Sequence, residues 1–344
     1  MSDRDGSVAG YRAVATLYQA LMTGLVLTLV TRKSPETAEQ FVFRHFRRQH
    51  LEKFLPGLDK LGLTGLPHAV ACAQYHYLSN QVGGVKVEYV RESDRKAWVR
   101  YPPPRWIWSG ASICGIPSRV NAAMLHGWHG HNGVSLGNPR LGFVCTGQTV
   151  DGDPGLEGYY HEHDRDLAPD ERVRFVRDER APDFDPAAAP RLDTASWSAP
   201  RLDKVLRSYA MEYVRSMLPE MLALVGTEET RTLVGHAARL IGMQLYDETA
   251  ARLGVRARDA AAFAAYLAAM ARAQGEEVEV DATGREAVVR QAGWRLMRGI
   301  EPLDPAAFDG WNGLWEGALA VHNRRLTLTV SLPSGGRVEW RIGS

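Results

Sequence analysis

Apolar and polar residues follow two different periods along this chain, and each period predicts a different element. Long stretches carry an apolar residue every three or four positions, the spacing of a helix with one buried face. One such stretch contains Leu202, Val205, Leu206, Tyr209, Tyr213 and Met217. Shorter stretches alternate strictly, as half-buried strands do, and they include Val85, Val87 and Tyr89 as well as Leu326, Leu328 and Val330. The order of these stretches predicts an α+β protein built from helices and antiparallel hairpins.

The ends of two helices can be predicted from local signals. Ser34, Pro35 and Glu36 have the order of a helix N-cap, a proline in the first turn and an acidic residue near the positive end of the helix. An Ala-rich helix is predicted to end at Gly275, because glycine readily adopts the left-handed conformation that closes a helix.

The two halves of the chain share an order of motifs. A glycine, Gly84 or Gly275, precedes the first predicted hairpin in each half, and the segment 127–130 (Gly-Trp-His-Gly) matches 310–313 (Gly-Trp-Asn-Gly). A fixed order of matches is typical of a duplicated domain, although two hairpins built by the same rules can also agree by chance. We therefore predict two similar halves from an internal duplication: residues 1–177 as the first copy and 201–344 as the second. A Pro-rich linker, residues 178–200, separates them, with Pro182, Pro186, Pro190 and Pro200.

Charge and composition narrow the possible partners. The 344 residues include 41 Lys and Arg against 40 Asp and Glu, and a net charge of +1 gives no basic surface for nucleic acid or an anionic membrane. The apolar stretch from Val14 to Val30 is interrupted by Gln19, so we interpret it as a buried helix. Three cysteines cannot form a disulfide framework. We expect a cytoplasmic protein with a small-molecule partner and no nucleic acid or membrane, and a homodimer is left open.

Histidine distinguishes the two halves. Five of the 11 histidines lie between positions 126 and 163, whereas the second half has Asn312 where the first has His129. Gly127 and Gly130 argue against a helix there, and an extended segment would place His129 and His131 on one face. His161 and His163 share a face of a predicted strand, so four imidazoles can converge. Three interpretations stay open: histidines bonded only to backbone or solvent, a metal-free acid–base site, and a divalent metal site, such as zinc, formed by these four.

Cysteine and aromatic residues supply the other candidates. Cys114 lies in a loop punctuated by Gly and Pro, where an activated thiol can act as a nucleophile, although a free cysteine is usually a packed apolar residue. We interpret Cys72 and Cys145 as packing residues. Aromatic side chains can form the walls of a pocket for a flat ligand, and those in this region include Trp106, Trp108, Trp128, Tyr159 and Tyr160. The sequence contains no dinucleotide-binding, P-loop, GxSxG or HExxH motif.

The order of two helices, a Gly-led hairpin, a cysteine in a Pro/Gly loop and a closing hairpin resembles the L-2-amino-thiazoline-4-carboxylic acid hydrolase family. More distantly, it is similar to the 4-vinyl-reductase-like ligand-binding domains. The resemblance is clearest from Leu61 to Asp164 and covers one half at a time. It implies hydrolytic opening of a C–N or C–S bond in a small heterocycle. We expect no cofactor, with a divalent metal such as zinc as the alternative.

Roles for individual residues follow from that implied chemistry, which needs a base, an acid for the leaving nitrogen and a group that holds the substrate. On this hypothesis His129 or His131 is the base, and His163 or His161 is the acid. Glu157 or Glu162 orients an imidazole, Cys114 is a nucleophile or a bystander, and Arg100 or Arg105 holds a substrate carboxylate. Trp106, Trp128 and Tyr159 then line the substrate pocket. The competing hypothesis is a binding protein that holds an aromatic ligand in the first half and catalyses no reaction.

Overall fold

Helices and short strands alternate along the chain in the computed structural model, which describes residues 3–193, 195, 197–283, 285–301, 304–332 and 337–344. The helices are α1 (Asp3–Arg32), α2 (Pro35–Lys60), α3 (His68–Val82), α4 (Ser118–Gly127), α5 (Asn132–Ser135), α6 (Ala199–Val225), α7 (Thr227–Arg252), α8 (Ala260–Ala273) and α9 (Pro305–His322). The strands are β1 (Glu88–Arg91), β2 (Lys96–Tyr101), β3 (Leu141–Gly147), β4 (Leu156–Glu162), β5 (Val173–Phe175), β6 (Val278–Thr283), β7 (Glu286–Gln291), β8 (Thr327–Ser331) and β9 (Val338–Gly343). The α+β class and the antiparallel hairpins are confirmed.

The predicted helix start at Pro35 is also confirmed. The Ser34 hydroxyl accepts a hydrogen bond from the backbone N–H of Thr37 at 3.2 Å, so the cap satisfies one of the free N–H groups of the first turn. At the end of α8, Gly275 has a φ of +89°, the left-handed conformation expected just beyond a helix.

Two compact units make up the chain. The unit that we call the first contains Leu29–Leu202, and the second contains the residues up to Thr28 together with Asp203–Ser344. Most of α1 therefore belongs to the second unit, although it comes first in the sequence. The stretch Ser7–Arg32 is long and apolar enough to cross a membrane, but two thirds of its most apolar window is buried inside the protein, as in a core helix. The proposed copies, residues 1–177 and 201–344, are a hypothesis of common descent. The division of the chain into compact units does not test that hypothesis.

The two units each contain one sheet, and the strands lie in the same order. In the first unit the order is β1-β2-β4-β3-β5, antiparallel except for the parallel pair β3–β5. In the second unit it is β6-β7-β9-β8, with every pair antiparallel. Without β5, the two orders are identical. A duplication predicts this match, and common descent of the halves stays a proposal.

The repeated Gly-Trp-x-Gly motif occupies comparable surroundings in the two units. A Cβ on Gly127 would come within 2.7 Å of the Phe43 carbonyl oxygen on α2, and a Cβ on Gly310 within 3.0 Å of the Val234 side chain on α7. The third residue of each motif, His129 or Asn312, forms a hydrogen bond with a strand of its own sheet, β4 or β9 respectively. His129 Nδ1 lies 2.7 Å from Tyr160 Oη on β4, and Trp340 Nε1 on β9 donates to Asn312 Oδ1 at 2.8 Å.

The outer faces of the two sheets differ. In the first unit, Trp98, Val144 and Tyr159 form an apolar cluster that is covered by Val176, directly after β5, and by Ala181 of the Pro-rich linker. The described part of residues 178–198 (194 and 196 lie outside the described ranges) contains no helix or strand. The predicted linker therefore ends two residues earlier than position 200, because α6 begins at Ala199 and takes Pro200 into its first turn. In the second unit the corresponding face carries exposed polar side chains, among them Glu279, Asp281, Thr329 and Arg341. Within the first unit, Ala181 of the Pro-rich linker therefore covers part of the outer face of the sheet.

Candidate functional site: a buried histidine cluster

Polar side chains meet in the first unit between the inner face of the sheet and the helices that cover it. The group contains His50 from α2, His76 from α3, His129 and Asn132 from the turn that joins α4 to α5, and Tyr160 from β4. We call these five residues the histidine cluster. Each is at most 6% exposed, and buried polar groups require partners or a function. The cluster is therefore the strongest candidate for a functional site in the first unit.

Two imidazoles lie face to face at its centre. The rings of His76 and His129 are 4.2 Å apart between centroids and 11° from parallel. A tyrosine hydroxyl contacts each of them at Nδ1: Tyr101 Oη lies 3.0 Å from His76, and Tyr160 Oη lies 2.7 Å from His129. Both rings are thus fixed by stacking and by a hydrogen bond, the type of positioning that acid–base catalysis needs.

Asn132 connects the stack with α2 and α3. Its Nδ2 donates to Tyr160 Oη at 2.9 Å. The same side chain interacts with His50, where it favours the protonated imidazole, and with the Cys72 thiol, where it favours the thiolate. Trp128 packs edge-to-face against both His50 and His76, with centroids 5.6 and 6.0 Å away. The cluster is therefore continuous from α2 to the sheet.

Several buried polar atoms in and beside the cluster have no hydrogen-bond partner among the described residues. They are His50 Nε2, His76 Nε2, Trp128 Nε1, His131 Nδ1 and Asn132 Oδ1. Leaving a buried donor or acceptor without a partner costs about 1–3 kcal/mol. Ordered water or a bound ligand can supply such missing hydrogen bonds.

Burial holds the imidazoles neutral. It lowers the pKa of His76 to about 3, with a further lowering from His50. It lowers the pKa of His50 to about 4, assisted by the charge of Arg47. The pKa of His129 also lies well below its usual value, because of burial first and then of the nearby His76 and Arg105. In the opposite direction, burial raises the pKa of Tyr160, so its hydroxyl keeps its proton. At neutral pH each ring can thus both donate and accept a hydrogen bond.

Glycines allow the turn that carries His129 and Asn132 to lie against its neighbours. A Cβ on Gly130 would come within 2.8 Å of the Val173 side chain, and one on Gly133 within 2.6 Å of the Leu141 carbonyl oxygen. These glycines correct the expectation of an extended segment from 126 to 131. The chain is helical up to Gly127 and forms a 3₁₀ turn over His129–His131. The glycines serve close packing rather than an extended path.

Strand alternation separates the histidines that we expected to converge. Successive residues of a strand point to opposite faces. Tyr160 faces the helices and contacts His129, so its neighbour His161 faces the other side of the sheet. There His161 packs edge-to-face against His163, with ring centroids 4.5 Å apart. The predicted convergence of His129 and His131 with His161 and His163 does not occur.

Glu157 and Tyr159 also lie on the outer face. The Glu157 carboxylate accepts hydrogen bonds from the Thr146 hydroxyl at 2.9 Å and from the backbone N–H of Ala181 at 3.1 Å. The Tyr159 hydroxyl donates to Glu179 at 3.0 Å. Both side chains hold the segment around residue 180 on the sheet. Neither touches an imidazole of the histidine cluster.

The other predicted site residues divide between the cluster and the surface. Arg105 lies near His129 and stands 5.2 Å above the Tyr101 ring, and Trp128 packs on the cluster. Trp106 is half-buried in the loop after β2. Cys114 is exposed on a short 3₁₀ helix, Gly110–Gly115. Cys145 is buried, and burial raises the pKa of its thiol to about 12, which suits a packing residue.

Within the described ranges, no group of three or more His, Cys, Asp and Glu side chains is arranged to hold a metal ion. His129 and His161, two of the four ligands in the metal hypothesis, lie on opposite sides of the sheet. The geometry therefore gives this alternative no support.

Sequence reasoning missed three members of the cluster. His76 lies in an Ala-rich helix beside apolar residues, His50 belongs to a basic stretch that suggests a solvated face, and Asn132 carries no motif. The helical periodicity could have indicated them, because His50, Cys72 and His76 occupy the buried faces of α2 and α3. Polar residues on an apolar helix face indicate a buried polar group.

Comparisons of the chain with protein-family models, with curated proteins and with solved structures give no match. The suspected membership of the thiazoline hydrolase family therefore stays a proposal, and the site must be interpreted from its own geometry.

Proposed function

We propose that the chain is an enzyme that hydrolyses a C–N or C–S bond in a small cyclic compound, with the histidine cluster as its acid–base centre. One observation carries the proposal: two stacked neutral imidazoles, each fixed at Nδ1 by a tyrosine, lie among buried polar atoms that the described protein leaves without partners. A neutral imidazole offers a bound substrate one nitrogen that accepts a proton and one N–H that donates.

The chemistry requires few groups. Water adds to the ring carbon of a cyclic amide, amidine or thiazoline and loses a proton to a base. The bond to the ring nitrogen or sulfur then breaks, and the departing atom gains a proton from an acid. His76 and His129 are the residues we assign to these proton transfers, and the charge of Arg105 beside them favours a substrate or intermediate with negative charge.

A binding protein without catalysis is the second candidate. The observation that favours it is the aromatic surroundings of the cluster, where the Tyr75 ring stacks on Trp128 at 6.2 Å and Tyr160 stacks near His76 at 5.8 Å. Such rings can hold a flat ligand, and the imidazoles would then only hydrogen-bond to it.

The two candidates can be separated with a panel of small cyclic amides, amidines and thiazolines, followed by mass spectrometry for products that have gained one water. We expect ring opening of at least one compound, and we expect His129→Gln to reduce that rate by a factor on the order of 10²–10⁴.

His161→Gln is the matched control, because His161 belongs to the same unit but faces the other side of the sheet. It should retain most of the activity. Saturable binding of a panel compound with no turnover would favour the binding protein, and equal losses in the two variants would contradict the placement of the site.

A further inference from the structure

A chain of hydrogen bonds in the histidine cluster ends at Nδ1 of His129. The chain contains three groups: the Asn132 amide, the Tyr160 hydroxyl and the His129 imidazole. Each link can be assigned from the number of donors and acceptors that the groups possess.

Tyr160 is the middle link. Its hydroxyl has one proton and two lone pairs, and burial raises its pKa so that the proton remains. Within the described ranges the hydroxyl has two partners, Asn132 Nδ2 at 2.9 Å and His129 Nδ1 at 2.7 Å. An amide NH₂ can only donate, so the first contact occupies a lone pair of Tyr160. The hydroxyl proton is then free to go to His129 Nδ1.

The opposite direction is less favourable. If His129 Nδ1 carried a proton, it would donate to the second lone pair of Tyr160. The hydroxyl proton would then have no acceptor among the described residues, in a cluster whose five members are each at most 6% exposed, and a buried donor without a partner is unfavourable.

The orientation of the Asn132 amide fits its other neighbours. Arg47 Nη1, which can only donate, lies 3.4 Å from His50 Nδ1, so the neutral His50 ring carries its proton on Nε2. Neither His50 Nε2 nor Asn132 Oδ1 has a hydrogen-bond partner among the described residues, and Oδ1 is the acceptor end of the side chain whose interaction favours protonated His50. The NH₂ end is thereby directed toward Tyr160 and Cys72, where Asn132 favours the thiolate.

We propose that Asn132 is a positioning residue that, through the Tyr160 hydroxyl, holds His129 as the neutral tautomer with its proton on Nε2. Within the described ranges no residue hydrogen-bonds His129 Nε2, so this N–H is available to a ligand. The catalytic consequence, which rests on the proposed function, is that His129 acts as the hydrogen-bond donor to developing negative charge or to the leaving group. The role of base then falls to His76 rather than His129.

The test is a long-range ¹H–¹⁵N correlation spectrum of the full chain with ¹⁵N-labelled histidine, recorded between pH 6 and 8. The neutral tautomers have distinct patterns, and the signals of His129 are assigned by their loss in His129→Gln. We expect a single Nε2–H form for His129 in the wild-type protein. An Nδ1–H form or a mixture in the wild-type protein would overturn the proposal, whether or not any variant folds.

Asn132→Leu tests the positioning role. It removes the amide while keeping the side-chain volume, so the Tyr160 hydroxyl loses its fixed direction and both His129 tautomers should become populated. Asn121→Leu is the control, because Asn121 is equally buried and bonds to Trp108 and Gln148 instead. A His129 tautomer that is unchanged in Asn132→Leu, or equally changed in Asn121→Leu, would refute the role of Asn132.

The experiment separates this inference from the proposed function. An Nε2–H tautomer that depends on Asn132, in a protein that opens no ring, would sustain the positioning role and reject the enzyme. Ring opening that requires His129, in a protein whose His129 carries its proton on Nδ1, would do the reverse.

Discussion

Tyr159 and Tyr160 show how one step along a strand changes the environment of a side chain. Both are buried tyrosines on β4, yet the hydroxyl of Tyr160 lies within the histidine cluster and that of Tyr159 bonds to Glu179, which is partly exposed and lies near Lys96. From the sequence alone, the alternation of β4 can be predicted, but not which of its faces is turned to the helices. A shift by one residue exchanges the two faces, so His161 and His163 were predicted at the site while Tyr160 carries the contact.

Replacing each tyrosine by phenylalanine measures that difference. Tyr160→Phe removes the partner of Asn132 Nδ2 and of His129 Nδ1 and leaves both buried, so we expect the free energy of unfolding to fall by about 1–3 kcal/mol for each orphaned group. Tyr159→Phe removes a bond to a carboxylate that water can reach, and should cost no more than about 1 kcal/mol. Chemical denaturation of both variants provides the measurement, and equal losses would contradict the assignment of the two faces.

At the scale of elements, the sequence predicted the hairpins and the start of α2 because these depend on local chemistry. Alternation, caps and turns are settled within a few residues of one another. The turn at His129–His131 was predicted wrongly, since Gly127 and Gly130 were interpreted through their backbone freedom. The structure requires glycine there because Gly127 packs against the Phe43 carbonyl and Gly130 against the Val173 side chain. Both contacts join residues far apart in the sequence, so local patterns do not predict them.

Glycines also bring α7 and α9 together in the second unit. A Cβ on Gly317 would overlap the carbonyl oxygen of Arg239, and one on Gly313 would come within 2.7 Å of the Gly235 carbonyl oxygen. Because a backbone atom cannot be repacked like a side chain, we expect Gly317→Ala to lower the free energy of unfolding by about 1–3 kcal/mol or more.

Gly293→Ala is the comparison for that variant. Nothing lies within 4 Å of a Cβ at this position, and its φ is not positive, so alanine should be neutral or stabilise the protein by up to about 1 kcal/mol. Thermal unfolding of the two variants distinguishes them. A Gly317→Ala protein as stable as Gly293→Ala would show that α7 and α9 can separate without loss.

For the whole molecule, the N-terminal segment completes a unit whose other residues begin at position 203. Tyr18 of α1 is fully buried, donates to Gln274 Oε1 at 2.5 Å and accepts from Trp311 Nε1 at 3.0 Å. This arrangement was not predicted from the sequence, because the apolar pattern of α1 identifies a buried helix without identifying what covers it. The predicted order of the two halves is sequential, whereas the compact units are not.

Tyr18→Phe should therefore weaken distant residues of the chain. It leaves buried polar atoms of Gln274 and Trp311 without a partner. Each should lower the free energy of unfolding by on the order of 1–3 kcal/mol. We expect faster hydrogen exchange in peptides that cover 260–275 and 305–322, measured by mass spectrometry. Tyr11→Phe is the control, because the half-buried Tyr11 meets Arg207 through its ring. Unchanged exchange in both peptides would mean that the Tyr18 bonds contribute nothing to the second unit.

Buried histidines make the stability of the protein depend on pH. Burial lowers the pKa of His45 and His76 to about 3 and that of His50 to about 4, and the pKa of His129 is lowered as well. In the unfolded chain a histidine titrates near 6.5. Above that pH neither state binds the proton, so these residues leave the stability unchanged. As the pH falls below about 6.5, the unfolded state binds protons that the folded state does not. Stability is therefore lost progressively until the pH reaches the folded-state pKa values, about 4 for His50 and about 3 for His45 and His76.

Replacing a single histidine tests the expected slope of the free energy of unfolding against pH. Near pH 5, unfolding is accompanied by the uptake of about four protons by the four histidines. Each of these protons changes the free energy of unfolding by about 1.4 kcal/mol per pH unit. His45→Phe should remove about one of them, since His45 packs between Phe41 and Phe46 and another ring fits those neighbours. Urea unfolding from pH 7.5 to 5 provides both slopes. Any constant change in stability from the substitution cancels in the slope, so parallel curves for the two proteins would show that His45 is protonated in the folded state and that burial does not hold it neutral.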